Sequence, residues 1–91
     1  MYHIAIVEDE IDFSGQLQSF LEQYQKEQNI RFKISVFGDG TEILEDYEPI
    51  YDVILMDIEI PGMHGMDESA QILCVDADVV MMFITNVAYY E

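Results

Sequence analysis

Apolar residues fall into four short runs that alternate with three amphipathic stretches. Residues 1–7 form the first run, with β-branched Ile4, Ile6 and Val7 closed by Glu8, Asp9 and Glu10; its length and composition predict a strand. From 11 to 28, Phe13, Leu17, Phe20, Leu21 and Tyr24 recur at intervals of three and four, which predicts a helix with one apolar stripe. Residues 31–37 alternate, with Phe32, Ile34 and Val36 on one face and Arg31, Lys33 and Ser35 on the other, as in a strand with one wetter face at a sheet edge. A Gly-Asp-Gly-Thr turn at 38–41 carries a helix cap and opens a short helix over 41–47, which Pro49 ends.

The run 52–57 holds Val53, Ile54, Leu55 and Met56 without polar interruption, the pattern of a strand covered on both faces of a parallel sheet. A loop with Pro61, Gly62 and Gly65 follows, then a helix over 66–75 that offers Met66, Ala70, Ile72 and Leu73 for packing. Residues 79–85 form a second continuous apolar strand. Strands alternating with helices predict an α/β fold, a parallel sheet and right-handed crossovers. With no repeat, linker or low-complexity tract, 1–91 reads as one domain.

Charge narrows the function classes. The 91 residues include 19 acids against Lys26, Arg31 and Lys33, a net charge of −16 that repels nucleic-acid backbones and anionic membranes. No apolar run approaches the length that spans a bilayer, and the start of the chain turns acidic too soon for a signal peptide, so a cytoplasmic location is expected. Cys74 is the sole cysteine and cannot form an internal disulfide. His3, His64 and the methionines lack ligand spacing and read as structural or surface residues.

The chemistry gathers at the strand ends. In an open parallel sheet ligands sit at the carboxyl ends of the strands. The predicted elements put Glu8 and Asp9 after the first strand, Asp57 at the end of the third and Thr85 at the end of the fourth, all along one edge. Close carboxylates oppose each other's ionisation unless a cation neutralises them. Mg²⁺ suits such a site, since it takes one or two protein carboxylates and leaves positions for phosphate oxygens. Asp57 could then serve as nucleophile for phosphoryl transfer, with the Thr85 hydroxyl donating to a phosphoryl oxygen. Taken singly, each acid would be an ordinary cap or turn residue.

Three ordered motifs carry a family resemblance that covers the chain. Ile6-Val7-Glu8-Asp9-Glu10, the block from Ile54 to Gly65 around Asp57 with Pro61 and Gly65, and Phe83-Ile84-Thr85-Asn86 resemble the receiver domains of bacterial two-component response regulators. The wording of the first and last motifs is most similar to regulators of the LytTR class, whose receivers precede a DNA-binding domain. The resemblance implies a flavodoxin-like doubly wound parallel sheet of strand order 2-1-3-4. It implies that Asp57 accepts a phosphoryl group from a histidine kinase, and that Asp9 binds Mg²⁺ directly and Glu8 mostly through water. It further implies a metal contact from the Glu59 backbone carbonyl, a switch role for the Thr85 hydroxyl, and a signalling module rather than an enzyme.

The chain departs from that pattern at its far end. Receivers have five strands and five helices, and the fifth strand ends in a lysine beside the acceptor; here no lysine follows Lys33. Against the family the chain reads as C-terminally truncated, lacking the fifth strand and the last two helices. Losing one such electrostatic contact costs about 2.7–4 kcal/mol of barrier, so phosphorylation is expected to be slow unless another chain supplies the cation. The fourth strand is expected to be an apolar edge that pairs with another copy, giving a homodimer or strand-exchanged oligomer. A phosphorylation-silent protein-binding module is the alternative reading. An aspartate-nucleophile phosphatase fits less well, because Glu59 stands where its second aspartate would be.

Overall fold

A computed structural model describes residues 1–45, 47–57 and 65–84, the side chains of 65–69 apart. The elements run β1 (Tyr2–Val7), α1 (Ile11–Gln28), β2 (Phe32–Phe37), α2 (Gly40–Glu45), β3 (Val53–Asp57), α3 (Gly65–Val75) and β4 (Val80–Ile84). The four strands form one sheet of order β2-β1-β3-β4, every neighbouring pair parallel. This is a flavodoxin-like arrangement, with the most deeply buried strands, β1 and β3, at its centre.

Local chemistry fixes the helix ends. At the close of α1, Asn29 adopts the left-handed conformation at φ 53° and ψ 44°, and its N–H donates to the Gln25 carbonyl. Asparagine tolerates that conformation better than most residues. The Gln25 side chain accepts from the Phe32 N–H at 2.7 Å, tying the helix end to β2. At the start of α2, Asp39 Oδ1 accepts from the Glu42 N–H at 2.9 Å while Glu42 Oε2 accepts from the Gly38 N–H at 2.6 Å. Asp39, within the turn expected to carry the cap, is therefore the capping residue, and α2 ends at Glu45.

The main core lies on the α2 and α3 side of the sheet. Ala5, Val7, Ile54 and Met56 point there, fully buried against Ile43 of α2 and Ile72 of α3, with Phe37, Tyr47 and Tyr51 closing the rim. Each large aliphatic side chain buried in this way contributes about 1.5–3 kcal/mol. Ile4 and Ile6 face the other side, towards α1, and are also buried.

The packing of α1 differs from the expected stripe. Ser14 is its buried residue, and Phe13, Leu17 and Leu21 are half-buried, whereas Phe20 and Tyr24 are exposed. The helix is rotated so that its small Ser14 approaches the sheet, with its Oγ satisfied by the Ile11 carbonyl at 3.0 Å. The edge strand β2 differs as well. Val36 is exposed, and Phe37 on the supposedly wetter face packs into the core, because the turn into α2 covers that face.

At the amino ends of the strands, β1 and β3 are clasped together. The Asp52 N–H donates to the His3 carbonyl and Asp52 Oδ2 accepts from the His3 N–H, both at 2.8 Å. His3 is a structural residue: its Nε2 lies 2.8 Å from Ser35 Oγ and its ring packs on Tyr51. Burial holds its pKa below the ordinary histidine value.

Candidate functional site

The sheet register builds the site. Val7 pairs with Met56 across β1 and β3, so the next residue on each strand, Glu8 and Asp57, emerges side by side. The Glu8 N–H donates to the Phe37 carbonyl at 3.0 Å, which holds the end of β1 against β2. Asp57 in turn pairs in register with Ile84 of β4. Immediately beyond, the Glu10 carbonyl accepts from the Ser14 N–H and α1 begins, confining Glu8 and Asp9 to a tight connection.

Glu8, Asp9 and Asp57 bring one carboxylate oxygen each within 4.8 Å of one another. Glu8 is 3% exposed and Asp57 1%, while Asp9 faces solvent. Buried carboxylates at such separation lose hydration and repel. The pKa of Glu8 is pushed up to about 8, first by burial, then by contact with the Asp57 carboxyl, with the charges of Asp57 and Asp9 adding to it. Its Oε1 accepts from the Glu10 N–H at 3.0 Å. Its Oε2 is buried with no hydrogen-bond partner among the described residues.

This donor set fits a hard divalent cation. All three groups offer oxygen, the charge is concentrated, and the orphaned Glu8 Oε2 lacks the positive partner that a buried carboxylate requires. One exposed member, Asp9, leaves the site open to solvent and to an incoming anion. Of the residues expected from the sequence, Glu8, Asp9 and Asp57 are brought together; Thr85 and Glu59 lie outside the described residues. The Asp52 to His3 clasp, which fixes β1 beside β3 and hence the register of the acids, was not foreseen. Its partners are 49 residues apart and no local pattern links them.

An open parallel sheet that collects three carboxylates at the ends of its two central strands defines an α/β fold with an acidic, cation-ready site. The profile of the response regulator receiver domain matches residues 4–90, and the chain belongs to that family. Among curated proteins no match is found.

Solved structures agree on the fold. The non-phosphorylated HemR receiver domain from Leptospira biflexa is similar at a TM-score of 0.78 and 23% identity, covering 93% of this chain and 64% of its own. The chain thus spans under two thirds of that domain's length. The response regulator TrrA from Thermotoga maritima, in complex with Mg²⁺ and BeF, is similar at a TM-score of 0.78 and 24% identity, covering 100% of this chain and 75% of its own. TrrA in complex with the histidine kinase ThkA gives a TM-score of 0.77 at 25% identity, covering 100% and 74%. Among the described residues, no helix is long and apolar enough to cross a membrane.

Proposed function

We propose that this chain is a phosphoacceptor receiver of a two-component system, which takes a phosphoryl group on Asp57 from a histidine kinase with Mg²⁺ held by Glu8, Asp9 and Asp57. The observation that carries the reading is the buried pairing of Glu8 with Asp57, in which Glu8 Oε2 has no hydrogen-bond partner among the described residues. The TrrA structures, one with Mg²⁺ and BeF and one with a histidine kinase, support both ligand and partner.

In the transfer, an Asp57 carboxylate oxygen forms a bond to phosphorus as the N–P bond of a phosphohistidine breaks, the electron pair returning to the imidazole nitrogen. Burial fixes Asp57 in place at the end of a strand, so little orientation is lost on reaction. Bound Mg²⁺ supplies positive charge against the carboxylates and the transferring group. Glu8 and Asp9 hold that ion's position from the β1 side. By the family resemblance the Glu59 backbone carbonyl would add to the ligand set and the Thr85 hydroxyl would donate to the phosphoryl group. The LytTR-class resemblance of the motifs supports reading such a receiver as part of a longer parent with a DNA-binding domain, acting in transcriptional regulation in the cytoplasm.

A phosphorylation-silent module that pairs with a second copy is the other reading. It is favoured by β4, an edge strand whose Val80, Met82 and Phe83 are exposed. Incubation with acetyl phosphate and Mg²⁺, followed by intact mass measurement, decides between them. A phosphate adduct that Asp57→Asn abolishes is expected. No adduct with Mg²⁺ bound, together with a dimer in light scattering, would establish the silent module instead.

A further inference from the structure

The edge strand β2 carries backbone groups that the sheet leaves open. The Arg31 and Phe37 carbonyls accept from the Tyr2 and Glu8 N–H groups. In a parallel ladder the odd-numbered residues of β2 therefore bond to β1, while Phe32, Ile34 and Val36 turn their N–H and C=O groups outward. Side chains already hold two outward donors: the Phe32 N–H donates to Gln25 Oε1 at 2.7 Å and the Gly38 N–H to Glu42 Oε2 at 2.6 Å. Between these two stops, the backbone groups of Ile34 and Val36 have no partner among the described residues. β1 and β3 separate this edge from β4, so a further strand beside β4 would leave it open.

We propose that a second copy of this chain pairs antiparallel along this edge, in the register that sets Ile34 against the partner's Val36 and puts Ser35 on the two-fold axis. The backbone selects the register. Each Ile34 to Val36 pair exchanges both N–H to O=C bonds, and Gln25 and Glu42 keep the bonds they already make. A register centred on Ile34 would need the Phe32 N–H that Gln25 holds, and one centred on Lys33 would set that cation against its own mate. The side chains agree with the choice. Val36 is 44% exposed and shares a sheet face with Ile34, so the pairing brings β-branched side chains together and covers apolar surface.

Charge selects the occupant. The edge is basic at one end, where Arg31 is exposed, and acidic at the other, where Asp39 and Glu42 open α2. In the antiparallel register Arg31 comes opposite the partner's Asp39 at both ends of the interface. A second copy thus supplies complementary charge twice, which a strand of uniform charge cannot do. The net charge of −16 opposes the approach of two copies, and that repulsion is largely screened beyond about 8 Å at physiological salt. The pairing uses neither Asp57 nor the β4 edge.

The test is cross-linking through position 35 of the whole chain at about 0.15 M salt, with Cys74→Ser removing the native exposed thiol. Facing residues of a non-hydrogen-bonded antiparallel pair have Cα atoms about 4.5 Å apart, within disulfide range. Under mild oxidation Ser35→Cys is therefore expected to form a disulfide dimer at least tenfold faster than Lys33→Cys, whose mate lies roughly 13 Å further along the strand. Val36→Pro removes an outward N–H and spares the ladder to β1; added to Ser35→Cys, it is expected to slow cross-linking at least tenfold, its fold checked by circular dichroism. Arg31→Glu should slow it severalfold. On the unaltered chain, hydrogen exchange at the Ile34 and Val36 amides is expected to slow as protein concentration rises, with no such change at Lys33 and Ser35, whose N–H groups face β1. Equal rates for the two cysteine variants, cross-linking indifferent to Val36→Pro or Arg31→Glu, or concentration-dependent protection confined to β4 would overturn the proposal.

Discussion

Glu8 and Asp57 share one buried space at the ends of adjacent strands, exposed by 3% and 1% respectively, with Glu8 Oε2 left without a hydrogen-bond partner among the described residues. Without a cation, Glu8 keeps its proton up to about pH 8. The first two predictions come from that proton.

Binding of Mg²⁺ must displace the proton wherever Glu8 is protonated. Affinity should therefore fall as pH drops below 8, approaching about tenfold per pH unit for one displaced proton. Calorimetry in buffers of different ionisation enthalpy should register proton release at pH 6.5 and little at pH 9. A pH-independent affinity would remove Glu8 from the site.

Stability without divalent ions should run against the usual acid trend. The raised pKa means that between about pH 4.5 and 8 the folded state binds more protons than the unfolded one, so Glu8 contributes stability that is full below 4.5 and lost as pH rises through 8. Glu8→Gln is expected to flatten this slope. At pH 8 it should raise stability by about 2–4 kcal/mol, since one pKa unit corresponds to about 1.4 kcal/mol. Urea titrations in a chelating buffer at pH 5 and pH 8 give the comparison.

Ile72 is fully buried where α3 meets the sheet, beneath Ile54 and Met56. Ile72→Ala should cost about 2–5 kcal/mol through lost burial and the cavity left behind. Because it lies on the core side, away from the acids, Mg²⁺ affinity measured well below the unfolding midpoint should not change.

Asn29 closes α1 at a positive φ. Asn29→Ala should lower stability by about 1 kcal/mol, whereas Asn29→Gly should leave it equal or slightly higher. Thermal unfolding followed by circular dichroism separates the two.

Much of this architecture was legible because each element has its own period. The extents of α1 and β3 follow from spacing and from an uninterrupted apolar run, and the acids close their strands in plain view. Less legible was anything set by the approach of distant segments. Phe20 belongs to the apolar stripe of α1 by spacing, yet is 69% exposed because the small Ser14 draws the helix axis to the sheet along a neighbouring line. Periodicity gives the width of a helical face but not the rotation at which it docks. The clasp between Asp52 and His3 is equally silent in sequence, since a carboxylate before a strand is an ordinary residue until another strand lies beside it. The convergence of Glu8, Asp9 and Asp57 was legible without any of this, because carboxyl ends of parallel strands converge whatever the packing beneath them.

The chain's few cations stand apart from its acids. Lys26 is in the last turn of α1, Arg31 just precedes β2, and Lys33 pairs in register with His3 near the start of β1, so all three lie towards the opposite end of the strands from Asp57. A strand's length exceeds the screening distance of about 8 Å at physiological salt. A small free dianion approaching Asp57 thus climbs a negative potential that these cations do not relieve and that only a bound divalent ion would offset, while a protein with a basic surface is drawn in. Under the proposed function this acidity makes the source of phosphate a matter of rate: a basic protein donor is expected to load Asp57 faster than acetyl phosphate, and raising the salt is expected to narrow the gap.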